Sequence, residues 1–137
     1  MRKYTLICIL VVLGGRVMAQ ADSSKQYMLI VRYKQPAAPF SQETIQNNIQ
    51  HWNAYMGSLG QKGKIVQGYR PMQTCVTITG VQKATTNAPY VANGEMVSSF
   101  MIIKASSLEE ATKIATECPI LELDGSVEVR ELMQLAR

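Results

Sequence analysis

Apolar and polar residues alternate through "QYMLIVRY", with Tyr27, Leu29, Val31 and Tyr33 on one side and Met28, Ile30 and Arg32 on the other. A period of two with so few polar positions predicts a β-strand whose faces are both largely covered. The period then changes. In "PAAPFSQETIQNNIQHWNAYMGSLGQKG" the residues Ile45, Ile49, Trp52, Met56 and Leu59 recur at intervals of three and four, behind Pro39 and a capping Ser41. The spacing predicts a helix stopped by Gly60 or Gly63.

Further along, "KIVQG" reads as a short strand, and "TCVTIT" as a strand with Val76 and Ile78 on one face and Cys75, Thr77 and Thr79 on the other. Gly68 and Pro71 supply the turn between them. The stretch from Gly80 to Glu95, rich in turn formers, reads as a long loop, and "VSSFMIIKA" as a strand ending at Lys104. In "SSLEEATKIATECP", Ser106 or Ser107 stands three residues ahead of Glu109 or Glu110, the spacing of a capping box, and Pro119 ends the helix. Its buried stripe is Leu108, Ala111, Ile114 and Ala115. "SVEVREL" sets Val127 and Val129 against Glu128 and Arg130, a last strand with one wet face.

Strand, helix, two strands, helix, strand is the order of an α+β, ferredoxin-like βαββαβ sandwich: an antiparallel sheet with two helices on one face. The other face still carries apolar residues, so a second copy packed sheet to sheet is expected, a homodimer enclosing a cavity as a dimeric α/β barrel.

The first twenty residues follow a different logic. Arg2 and Lys3 precede an apolar run from Tyr4 to Leu13, and Val17 and Ala19 suit the small positions before a cleavage. That is the layout of a secretory signal over residues 1–19, with a retained membrane anchor as the alternative; Gly14, Gly15 and Arg16 interrupt any span of about 20 apolar residues. Export to the periplasm or the outside is expected, leaving a polar lead over residues 20–25 and one domain over 26–137. Without Arg2, Lys3 and Arg16 the fourteen basic residues fall to eleven against ten acidic ones. The remaining charges are interspersed, which argues against a nucleic-acid partner. Cys75 and Cys118 could pair in an oxidising compartment, although a packing role is favoured for both.

The chain resembles a known family at "YMLIVRY", at "HWNAYMGSLGQKGKIVQGYRPM" and above all at "SSLEEATKIATECPILELDGSVEVREL". These blocks look like the YCII-related, or DGPF-domain, proteins, and the resemblance runs from Tyr27 to about Met133. It implies a dimeric α+β barrel and a histidine on the first helix paired with the aspartate of an Asp-Gly-Pro-Phe loop. His51, the single histidine, matches the family histidine. Against the loop motif this chain offers Asn87, Ala88, Pro89 and Tyr90, and beyond it only Glu95 matches the family's charged residues. Asparagine orients an imidazole but brings no charge to it.

The candidate acid–base residues are therefore His51, Asn87 and Glu95, with Tyr55 and Tyr90 as possible cavity linings. Each has a plainer reading. His51 lies about 100° round from the apolar stripe, on the row of Thr44, Asn48 and Tyr55, and there it is as readily a solvated side chain. Trp52 fits the core, the tyrosines fit its wet end, and Glu95 fits an exposed loop. One histidine and scattered acids make no metal site, and no glycine-rich phosphate cradle opens a helix, so no cofactor is expected. Two functions stay open. One is an exported protein that binds a small organic ligand in the dimer cavity; the other is an isomerase or lyase in which His51 moves a proton.

Overall fold

The computed structural model describes residues 24–135; the signal segment expected over residues 1–19 lies outside them. The first strand, β1 (Lys25–Lys34), is central because its neighbours are the two longest-range partners in the chain. Tyr27, Leu29 and Val31 are fully buried on one face. The helices cover that face: α1 (Gln42–Gln61) and α2 (Leu108–Thr116).

The sheet joins β1 to β2 (Ile65–Tyr69), β6 (Glu95–Ala105) and β7 (Ser126–Glu131) in the order β2-β6-β1-β7, with the β1, β2 and β7 ladders all antiparallel. That is the ferredoxin-like order, so the α+β class and its topology stand as expected. Met28, Ile30, Phe100 and Ile102 share the helix-free face and are half-buried there.

The middle of the chain departs from its expected layout. Only Thr77–Thr79 of "TCVTIT" forms a strand (β3), and it pairs with β4 (Ala84–Thr86) in a separate two-stranded sheet. β6 is flanked by β1 and β2, and the residues between β2 and β6 pair with one another as a hairpin rather than adding to either outer edge of the main sheet. The long loop is correspondingly shorter than expected. After β4 comes β5 (Val91–Ala92), which turns back onto β6 through Asn93 and Gly94, both at positive φ (53° and 72°). Two such residues between paired strands are the type I′ hairpin signal, and the dipeptide Asn-Gly carried it in the sequence.

Both helices start as their sequences say. Ser41 Oγ accepts from the Thr44 amide at 3.1 Å, and Ser107 Oγ from the Glu110 amide at 3.2 Å. The first ends in a left-handed Gly63, where the Lys64 amide bonds back to the Leu59 carbonyl at 2.9 Å. The buried face of α1 is rotated from the expected stripe. Asn48, Tyr55 and Leu59 are buried and Trp52 and Met56 partly so, whereas Ile45 and Ile49 are exposed. The N-terminal half of α1 packs against a 3-10 helix, Pro119–Leu123, rather than the sheet, and that neighbour offers Asn48 a polar contact that an isoleucine could not make.

Candidate functional site

His51 projects from α1 beside the 3-10 helix. Pro119 at the first turn starts that helix and Asp124 ends it in the left-handed region, which sets Glu122 against α1. His51 Nδ1 lies 2.9 Å from Glu122 Oε1 and 3.0 Å from Oε2. Asn48, one turn earlier and buried, donates through Nδ2 to Glu122 Oε2 at 2.9 Å and to the Pro119 carbonyl at 2.7 Å. The bonds from His51, and after it Asn48, hold the Glu122 carboxyl below the usual carboxylate range. This is a histidine–carboxylate pair in an open setting, with the two side chains 58% and 46% exposed.

The residues expected beside His51 are placed elsewhere. Asn87 is an exposed residue just after β4. Glu95 starts β6, where its carboxylate accepts from Ser126 Oγ at 2.9 Å. Neither bonds to the imidazole, whose carboxylate partner is Glu122. Sequence reasoning missed Glu122 because it lies 71 residues from His51, in "PILEL", a run whose short turn carries no period. Tyr55 is buried in the core, where its hydroxyl donates to the Ile114 carbonyl at 3.0 Å and burial pushes its phenol well above the ordinary value. It is not among the residues that wall the cavities around Trp52, Arg70, Tyr33 and Tyr90. Tyr90 is exposed and does line one, a cavity of about 260 Å³ shared with Cys75, Met96 and Pro71.

Cys75 and Cys118 are free thiols. Burial raises the Cys118 thiol to about 11, so it stays protonated and unreactive. Among the described residues no group of histidine, cysteine, aspartate and glutamate side chains gathers to hold a metal, and no helix is long and apolar enough to cross a membrane.

A concave part of the molecule adjoins Trp52. A cleft of about 290 Å³ opens between α1 and the β2 edge, walled by Trp52, Met56, Tyr69, Arg70, Phe100 and Met101. The Trp52 and Tyr55 rings meet edge to face at 5.9 Å, and Tyr69 and Phe100 lie 5.5 Å apart. These contacts hold the cleft's aromatic walls in place. Arg70 also walls a second cavity of about 230 Å³, which reaches Tyr33 and Ser98. Those two residues in turn wall a third, apolar one of about 380 Å³ beside Phe40, Ile45 and Ile120. Neighbouring cavities share wall residues, and His51 is not among the residues that wall any of these four.

An open antiparallel sheet with two helices on one face, a cleft beside the first helix at the sheet's edge and an imidazole on that helix define a small ferredoxin-like α+β domain. The chain belongs to the family of the YCII-related domain, which it matches over residues 25–136. No curated protein matches it. Among solved structures it is similar to a 5-chloro-2-hydroxyhydroquinone dehydrochlorinase from Burkholderia phenoliruptrix, in complex with 2,5-dihydroxybenzoquinone. The identity is 20% over 78% of this chain and 93% of that one, with a TM-score of 0.41.

Proposed function

We propose that this YCII-related protein binds a small, largely apolar organic molecule in the cleft beside α1 at the β2 edge of the sheet. The observation that carries this reading is the cleft walled by Trp52, Met56, Tyr69, Phe100 and Met101: concave, aromatic, and fixed by ring contacts within the fold. Titration with a set of small organic fragments, followed by amide chemical shifts, tests it. Shifts gathered on Trp52, Gly68, Tyr69 and Phe100 support the reading; a set that moves none of them sinks it.

A second reading rests on the His51–Glu122 contact at 2.9 Å. With a carboxylate at Nδ1, the ring turns Nε2 outward as a base, which suits proton transfer in an isomerase or lyase. The position of His51 outside the cleft favours binding over this chemistry. Loss of turnover in His51→Ala with ligand affinity unchanged would reverse that preference.

The helix-free face, with Met28, Ile30, Phe100 and Ile102, suits a second copy of the chain, and a homodimer is part of this proposal. Light scattering on the protein and on Ile30→Glu tests it, with a dimer expected for the first and a monomer for the second. Export is supported by the first nineteen residues alone. N-terminal sequencing of protein recovered from its host is expected to begin at Gln20, and an intact Met1 would count against export.

A further inference from the structure

We infer that the cleft takes an organic anion, with its acid group on the Arg70 guanidinium and its apolar body on the Trp52 ring. The inference rests on the cleft being a ligand site and names the class of ligand.

The three arginines among the described residues are differently placed. Arg32 Nη2 lies 2.6 Å from Glu128 Oε2, and Arg130 bonds to the other oxygen of the same carboxylate. Glu128 thus answers both. Most of the lysines around the sheet are also matched: Lys25 with Glu131, Lys34 with Asp124, Lys64 with Glu110. Arg70 makes no hydrogen bond or ion pair with any described residue. It stands where the 290 Å³ cleft meets the 230 Å³ cavity, and no aspartate or glutamate walls either one.

An uncompensated guanidinium at a cleft wall attracts negative charge, and its planar fork of donors matches a carboxylate better than it matches a neutral amide. Beside it the wall is apolar and aromatic on the Trp52, Met56 and Phe100 side, and polar on the side of Gln73, Ser98 and Ser99. A ligand with an acid at one end and an apolar group at the other satisfies both. A cation meets the like charge of Arg70 there, and a wholly apolar ligand leaves the guanidinium donors to water. Lys34 and Asp124, which wall the third cavity, neutralise each other, whereas Arg70 brings an unmatched charge to the two cavities it walls.

Trp52 is the only tryptophan in the chain, so its fluorescence reports the site directly. The experiment compares phenylacetate with phenylacetamide, two probes of one shape that differ in charge, on the full chain and on Arg70→Met and Arg70→Gln. Expected is an affinity for the acid about tenfold or more above that for the amide, with the preference lost in both variants while amide binding persists. Because Arg70 is exposed and unpaired, both substitutions should leave the fold intact, as near-ultraviolet circular dichroism will report. Equal affinity for the two probes overturns the anion inference and leaves the cleft as a ligand site. A preference for the acid that survives in the variants overturns the role of Arg70. No response of Trp52 to either probe overturns this inference and the binding reading together.

Discussion

The imidazole of His51 and the carboxylate of Glu122 meet through Nδ1, at 2.9 Å, and this fixes which tautomer the neutral ring adopts. A carboxylate only accepts, so the neutral ring must carry its proton on Nδ1 and leave the Nε2 lone pair toward solvent. The ring 15N shifts at alkaline pH are expected to show the Nδ1–H form in the native protein. In Glu122→Ala they should move toward the Nε2–H form. Because the chain has one histidine, the signal is unambiguous. Identical shifts in the two proteins would mean that the pair does not persist in solution.

Asn48 ties the same carboxylate and the 3-10 helix to α1 from a buried position. Asn48→Leu removes both donors and leaves the Pro119 carbonyl without its partner. A loss of about 1–3 kcal/mol in urea unfolding is expected. Asn48→Asp should cost more, since it sets a second carboxylate against Glu122. A neutral result for Asn48→Leu would show that the 3-10 helix docks by apolar contact alone.

Gly125 is where the chain leaves the 3-10 helix and enters β7 alongside β1. A Cβ there would lie 2.5 Å from Ile120 Cγ1, closer still to the Arg32 carbonyl oxygen, and 3.1 Å from the Ile120 carbonyl oxygen. Backbone on two sides cannot give way cheaply. Gly125→Ala is expected to destabilise by about 3 kcal/mol, seen as a fall in Tm. Gly57→Ala, whose added Cβ meets nothing within 4 Å, serves as the control and should be neutral or slightly stabilising.

Glu110 links the start of α2 to Lys64 at 2.5 Å and also accepts from Ser106. The Lys64 bond, followed by those from Ser106, brings its carboxyl down to about 2. A lowered folded-state value means stability that is present above the ordinary carboxylate range, near pH 4.5, and is lost as the pH falls toward 2. The two side chains are 31% and 33% exposed, so screening reduces the contribution to about 1 kcal/mol or less. Lys64→Met should flatten the acid limb of the stability curve over that interval, and an unchanged limb would count against the pair.

Tyr55→Phe separates the two readings of that residue. Its hydroxyl bonds to the Ile114 carbonyl inside the core, so a loss of about 1 kcal/mol in stability with unchanged ligand affinity is expected. A fall in affinity at constant stability would return Tyr55 to the ligand's surroundings.

Local signals in the sequence determined most of the elements. The alternation in "QYMLIVRY", the serine caps at Ser41 and Ser107 and the stop at Pro119 each act over a few residues, and their order was enough for the α+β sandwich. The Asn93-Gly94 dipeptide is a two-residue hairpin signal too, although it lies in the stretch from Gly80 to Glu95 that was expected to be a loop. What tertiary structure alone decided was which strand edges were free and which side chains met across long separations. Thr77–Thr79 pairs with Ala84–Thr86 instead of joining the main sheet, where β6 already lies between β1 and β2. The rotation of α1 that buries Asn48 and exposes Ile49 depends on what lies opposite the helix. Glu122 reaches His51 only because the 3-10 helix docks on α1 and Gly125 lets the chain run close beside Arg32 into β7. Periodicity reports a residue's relation to its own helix or strand; a pair 71 positions apart is set by packing, which no local pattern encodes.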